Sequence, residues 1–125
     1  MNSTISILIL EDEALSAMTM RSKLVKKGYR VCSVFSKGED AVLFVKKEQP
    51  DILLFDNMLA GEISGIEAAC EIKKEYDIPV IFITGYEINE FIHKARVASP
   101  VACLAKPLDY EALNKAIYKT LNIVD

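Results

Sequence analysis

The chain has 125 residues, 51% of them apolar and 26% charged, with a formal net charge of −3. That length suits one compact domain, 1–125, and the composition is that of an ordinary soluble globular protein. The acidic balance argues against direct nucleic-acid binding, which calls for surplus Lys and Arg, and three scattered cysteines with one histidine offer no zinc cage.

Residues 1–4 lack the basic stretch, apolar core and small-residue cleavage site of a secretory leader. No apolar run approaches the ~18 residues that span a bilayer. The expectation is a cytoplasmic protein with reduced thiols and no membrane association.

Along the chain, the first apolar run, Ile5 to Leu10, ends in Glu11-Asp12-Glu13. Ala14, Ala17, Met18, Leu24 and Val25 follow at helical spacing and predict the buried face of a first helix, stopped at Gly28 after Lys26-Lys27. The second run, Arg30 to Phe35, is interrupted by Arg30, Cys32 and Ser33, which places it at a sheet edge. Ser36-Lys37-Gly38-Glu39 has capping-box spacing, so a second helix is expected to begin just after Ser36. The third run, Asp51 to Phe55, sits behind Pro50 and ends on Asp56. Ser64-Gly65-Ile66-Glu67 repeats the capping-box spacing and predicts a third helix after Ser64. The fourth run, Val80 to Ile83, follows Pro79 and ends on Thr84, and Ile88, Phe91, Ile92 and Ala95 mark a fourth helix. The fifth, Val101 to Ala105, ends on Lys106, before a helix lined by Leu113, Ala116, Ile117, Thr120 and Leu121.

Four of these runs are nearly continuous in Ile, Leu, Val, Phe or Ala instead of alternating with polar residues, the pattern of parallel strands buried on both faces. Strand and helix alternating five times predict a three-layer α/β domain, (βα)5. Right-handed crossovers leave the doubly wound, flavodoxin-like order 2-1-3-4-5 as the commonest topology. Its crevice opens at the carboxyl ends of strands one and three, on the edge where Glu11, Asp12, Asp56, Thr84 and Lys106 would meet.

Singly, each of these residues has an ordinary explanation. An acid after a strand is commonly a helix cap or a solvated turn, a threonine suits a strand end, and a lysine is usually a surface charge. Together they specify chemistry. Three carboxylates in one crevice repel each other until their pKa values rise or a cation joins them. Mg²⁺ suits such a site, since it takes oxygen ligands from one or two carboxylates plus phosphate oxygens and keeps several waters. With Mg²⁺ and Lys106 offsetting the charge, Asp56 can accept a phosphoryl group as an aspartyl phosphate. The transfer needs in-line positioning and charge stabilisation, and Thr84 would donate its hydroxyl hydrogen to a phosphoryl oxygen.

In order and spacing, these residues resemble the receiver (response-regulator) domains of two-component signalling, from about Ile5 to Leu121. Glu11-Asp12-Glu13 is similar to the family's acidic doublet, Asp56 to its phosphoacceptor, Thr84 to its switch hydroxyl, and Lys106-Pro107 to its lysine and following proline. The resemblance implies that Asp56 takes phosphate from a histidine kinase or phosphotransfer protein. It implies that Glu11, Asp12, Asp56 and the backbone carbonyl of Met58 hold Mg²⁺, with Asp12 the direct ligand of the doublet, and that the Lys106-Pro107 bond is cis. It further implies a switch and not a metabolic enzyme. The face made by the fourth helix, fifth strand and fifth helix would then regulate a downstream protein or a fused output domain. Exposed candidates there are Glu87, Glu90, His93, Lys94, Arg96 and Tyr110, and a homodimer through the same face is allowed but not required.

Two places depart from the family pattern. Cys103 stands where a Tyr or Phe usually couples to the switch hydroxyl, and a small buried thiol is the expected reading in preference to a redox sensor. The loop after Asp56, Met58-Leu59-Ala60-Gly61-Glu62-Ile63-Ser64-Gly65, lacks the usual proline. Met58 and Tyr86 flank the acceptor and are expected to shield its acyl phosphate from water. Three other readings compete. A small-molecule phosphatase would want a second Asp just after Asp56, where Asn57 and Met58 stand. A nucleotide binder would want a phosphate-cradling first loop in place of Glu11-Asp12-Glu13. A constitutive adaptor would have lost some of the key acids, Thr84 or Lys106, and all are present.

Overall fold

A computed structural model describes residues 4–57, 61–85 and 87–122. Strands β1 (Ser6–Leu10), β2 (Arg30–Phe35), β3 (Ile52–Asp56), β4 (Val80–Thr84) and β5 (Ala102–Ala105) alternate with helices α1 (Ala14–Lys26), α2 (Gly38–Lys47), α3 (Gly65–Lys73), α4 (Ile88–Ala95) and α5 (Tyr110–Thr120). A single 3₁₀ turn, Arg96–Ala98, extends α4. The strands form one parallel sheet in the order β2-β1-β3-β4-β5, so the interrupted run is an edge, as the sequence predicts, and the continuous runs β1, β3 and β4 are central. The fourth continuous run, β5, is the opposite edge and is only half-buried, because no strand covers its outer side.

Period-two geometry explains why continuous apolar runs were needed. Successive side chains of a strand point to opposite faces. Ile7, Ile9, Ile52, Leu54, Ile81 and Ile83 project to one face and pack with Met20 and Leu24 of α1 and Leu113 and Ile117 of α5. Leu8, Leu10, Leu53, Phe55, Val80 and Phe82 project to the other, against Ala41 and Val45 of α2, Ala68, Ala69 and Ile72 of α3, and Phe91 and Ala95 of α4. Each central strand therefore feeds two cores, and a polar residue at either parity would leave a group in one of them without water. Phe82 meets Phe91 edge-on at 5.6 Å between centroids, a preferred aromatic geometry that ties α4 to the sheet.

Three local expectations need correction. In α1 the buried stripe is Ala17, Met20 and Leu24, while Met18 is 68% exposed and Val25 51% exposed. Apolar residues occur on both sides of this helix, so spacing alone chose the wrong stripe. In α4, Phe91 and Ala95 are buried but Ile92 faces solvent. At the start of α2 no capping box forms. The helix begins at Gly38 with Lys37 as its uncapped N-cap residue, and Glu39 turns away to accept the Glu62 N–H at 3.2 Å. The matching motif at Ser64 does form a reciprocal box, the Ser64 hydroxyl accepting the Glu67 N–H at 3.1 Å and the Glu67 carboxylate accepting the Ser64 N–H at 2.9 Å.

Candidate functional site

The order of strands reverses between β1 and β3. The first crossover lays α1 on one face and the second lays α2 on the other, which opens a crevice at the carboxyl ends of those strands. Glu11 continues β1, its N–H donating to the Phe35 carbonyl at 2.9 Å. Asp56 is the last residue of β3 and Thr84 the last of β4. Lys106 follows β5, anchored by its N–H to the Thr84 carbonyl at 2.8 Å. Glu11, Asp56 and Thr84 are the buried polar or charged residues among those described, at 2%, 3% and 1% exposure.

The Lys106 ammonium lies 2.8 Å from Asp56 Oδ2 and 3.4 Å from Glu11 Oε1, bridging groups 50 and 95 positions away in the chain. One cation thus offsets two buried acids, which burial would otherwise make costly to ionise. The balance shows in the proton affinities of Glu11 and Lys106. Desolvation pushes the Glu11 carboxyl up, with the Asp56 charge adding to the rise, against the Glu13 N–H and Lys106. Burial alone would lower the Lys106 ammonium. The hydrogen bond and charge of Asp56, then those of Glu11, outweigh it and raise it.

Asp12 completes the acidic group from the exposed side. One carboxylate oxygen from each of Glu11, Asp12 and Asp56 lies within 4.8 Å of the others. Three hard oxygen donors at this spacing fit a small divalent cation that keeps waters in its remaining positions. Thus Glu11, Asp12, Asp56, Thr84 and Lys106 all come to one sheet edge, as expected from sequence. The expected ligand carbonyl of Met58, and Tyr86 with it, lie outside the described residues. The Lys106-Pro107 peptide bond is cis.

Some contributors were not anticipated. Ser16, in the first turns of α1, donates its hydroxyl to Glu11 Oε1 at 3.2 Å, and the Glu13 N–H donates to Oε2 at 3.0 Å. Glu11 is therefore held at both oxygens. Asn57 Oδ1 accepts the Ile66 N–H at 3.0 Å, and the Asn57 carbonyl accepts the Gly65 N–H at 3.3 Å. A Cβ at Gly65 would collide with the Asp56 carbonyl oxygen. The start of α3 can thus press on the Asp56 backbone only because residue 65 is glycine.

A family model described as the response regulator receiver domain matches residues 7–118. This chain belongs to that family. Over 111 residues the receiver domain is 32% identical to the transcriptional regulatory protein PdtaR of Mycobacterium tuberculosis, an alignment covering 89% of this chain and 54% of that protein. The chain therefore spans about half the length of the curated relatives it matches. Among solved structures it resembles the signal receiver domain of a modulated diguanylate cyclase from Desulfovibrio desulfuricans G20, with TM-score 0.88, 36% identity and coverage of 96% of this chain and 95% of that one. At 24% identity, the receiver domain of sensor histidine kinase PA1611 from Pseudomonas aeruginosa PAO1 shares the fold, with TM-score 0.85 over 96% of this chain and 99% of that one. That structure holds a magnesium ion in its active-site cleft. The chain is thus a receiver domain of two-component systems, and no helix among the described residues is long and apolar enough to cross a membrane.

On the expected partner face of the receiver domain, one exposed candidate, Tyr110, needs correction. Glu90, His93, Lys94 and Arg96 are exposed. Glu87 is exposed too, but its carboxylate is engaged as the N-cap of α4, accepting the Asn89 and Glu90 N–H groups at 3.2 and 3.0 Å. Tyr110 is half-buried, with the Lys23 ammonium 5.3 Å from its ring centroid, and so belongs to the seam between α1 and α5. Cys103 pairs in register with Phe82 and is half-buried beside a surface cavity of about 360 Å³ lined by Ile92, Arg96 and Pro100. Burial raises its thiol pKa, which favours the unreactive form over a thiolate.

Proposed function

We propose that Asp56 accepts a phosphoryl group from a histidine kinase or phosphotransfer protein, in a reaction that requires Mg²⁺, and that the modified domain regulates a partner. The observation that carries this reading is the Lys106 ammonium, 2.8 Å from Asp56 Oδ2 within an acidic cluster whose oxygens lie within 4.8 Å. Lys106 and Asp56 would change partners on reaction. The carboxylate oxygen that forms the new P–O bond gives up its negative charge, the donor's leaving group takes the bonding pair, and the ammonium turns to a phosphoryl oxygen. Glu11, Asp12 and Asp56 would hold Mg²⁺, which when bound supplies positive charge against the phosphoryl oxygens. Ser16 and the Glu13 N–H keep Glu11 oriented for that task. A groove of about 480 Å³, lined by Leu15, Ser16, Thr19, Lys106, Pro107 and Tyr110, opens beside the ammonium and gives the donor its approach.

Thr84 would carry the change outward. Its hydroxyl would donate to a phosphoryl oxygen, while its carbonyl holds the Lys106 N–H at 2.8 Å, so movement at Thr84 would be felt at the end of β5. Partner contacts on α4, β5 and α5 that differ between the two states then set how far the equilibrium shifts. The partner is a separate cytoplasmic protein or a fused output domain. The domain acts as a switch and not as a metabolic enzyme.

Intact-mass spectrometry after incubation with acetyl phosphate and Mg²⁺ tests this. One added phosphate, absent in Asp56→Asn and in EDTA, is the expected result. An unmodified wild-type protein that nonetheless binds Mg²⁺ would overturn the phosphoacceptor reading.

A further inference from the structure

Away from the acid cluster, residues 61–63 are fastened to α2 by an interlock that the cluster itself does not require. Three contacts build it. The Glu62 N–H donates to Glu39 Oε2 at 3.2 Å. A Cβ at Gly61 would overlap Glu39 Oε1 and stand 3.0 Å from Lys37 Cβ. A Cβ at Gly38 would lie 2.9 Å from Ile63 Cγ1 and 3.1 Å from Ala68 Cβ. Each partner segment thus places a glycine where the other's side chain enters, and the two backbones approach as closely as they do because both glycines lack a side chain. Glu39 Oε1 is buried with no hydrogen-bond partner among the described residues. The carboxylate as a whole is nonetheless held below the usual range by backbone N–H groups, its own first and then those of Glu62 and Ile63, so it sits charged against residues 61–63. Glu39 also forgoes the capping box that its spacing from Ser36 would allow.

We infer that Glu39 is a positioning residue for phosphoryl transfer, holding residues 61–63 on α2 so that the chain on the far side of Asp56 is set before the donor arrives. The inference rests on the phosphoacceptor role of Asp56. The path from Glu39 to the acceptor is short. Residues 61–63 lead into Ser64 and Gly65, Gly65 abuts the Asp56 carbonyl, and its N–H bonds the Asn57 carbonyl at 3.3 Å. With the interlock in place, residues 61–63 are held on α2 and Gly65, two residues on, is held against Asp56. Without it, Gly65 loses the α2 anchor, and the alignment of Asp56 needed for in-line transfer is held a smaller fraction of the time. Glu39 touches no reacting atom, so its effect is on rate and not on the identity of the acceptor.

The test measures the rate of acyl-phosphate formation from acetyl phosphate at saturating Mg²⁺, by intact mass, with thermal midpoints recorded in parallel. Glu39→Ala is expected to slow the reaction by about tenfold per folded molecule, the scale of one lost charge-assisted hydrogen bond acting on alignment. Glu39→Gln keeps an accepting oxygen for the Glu62 N–H and is expected to restore most of the rate. Gly61→Ala should slow the reaction much as Glu39→Ala does, and the double variant should be no slower than either single, because both break the same contact. A wild-type rate in Glu39→Ala with a lowered thermal midpoint would reduce Glu39 to a structural role and overturn the inference, as would additive effects in the double variant. Absence of phosphate on the wild-type protein would instead remove the phosphoacceptor reading, and this inference with it. Phosphate gained by wild type and by Glu39→Ala at one rate removes the inference alone.

Discussion

Lys106 shows how much of the site depends on one side chain. Its ammonium reaches both Asp56 and Glu11, and each acid is almost wholly withdrawn from water. Removing it takes away the ammonium that the two buried carboxylates share, while Ser16 and the Glu13 N–H still hold Glu11. Lys106→Ala is therefore expected to slow phosphoryl acceptance from acetyl phosphate by roughly 10²-fold, the usual scale for deleting a preorganised charge in such a site. A time course of intact mass checks this, and an unchanged rate would mean the lysine only balances charge at rest. At this scale the sequence was informative where residues end strands. It could place Glu11, Asp12, Asp56, Thr84 and Lys106 at one edge because a parallel sheet puts all carboxyl ends together. It was blind to Ser16, since a serine in a first helical turn reads as an ordinary helix-start residue until the Glu11 rotamer is known.

At the scale of elements, two identical spacings, Ser36 to Glu39 and Ser64 to Glu67, had different outcomes. Ser64 caps α3, and losing that hydroxyl in Ser64→Ala should cost about 1 kcal/mol of stability. Gly65→Ala, one residue on, should cost more, because its new methyl meets the Asp56 carbonyl oxygen in a fully packed position. Urea unfolding at fixed buffer composition, read at constant slope, orders the two; equal midpoints would show that the α3 start can shift to make room. The failed box at Ser36 was not legible, because the competing partner of Glu39 is the Glu62 N–H, 23 residues away. The same limit applies to α1. Whether Met18 or Met20 faces the sheet depends on how the helix is rolled against β1 and α5, which periodicity cannot choose when both sides carry apolar residues.

On the scale of the whole molecule, the layer of α1 and α5 is joined by polar contacts between distant segments. Tyr29, just past α1, hydrogen-bonds Asn114 of α5, and Lys27 pairs with Glu111 at 3.3 Å. Burial, with the neighbouring Tyr118 charge adding to it, pushes the Tyr29 phenol from 10.0 up to about 12. The folded state therefore holds this proton more tightly than the unfolded chain. The associated stability is fully present below pH 10.0 and is lost as pH rises toward about 12. Tyr29→Phe has no such proton to lose. It should start less stable, lacking the Asn114 bond, and fall less steeply across that interval. Urea midpoints at several alkaline pH values check this, and parallel curves for the two proteins would show that Tyr29 ionises as freely folded as unfolded. The layered architecture was readable from the alternation of apolar runs and helical stretches. The polar links within the α1 and α5 layer were not, because they join residues about 85 positions apart whose types suit any surface.

The bridge from Lys106 to Glu11 and Asp56 also bears on how the protein is made. A ribosome releases both acids well before the lysine that lies 50 and 95 positions downstream of them. A nascent chain therefore carries Glu11 and Asp56 without their cation, and β5 must dock before the ammonium arrives. If Asp56 is the phosphoacceptor, newly made protein would take phosphate only slowly until its last strand is in place.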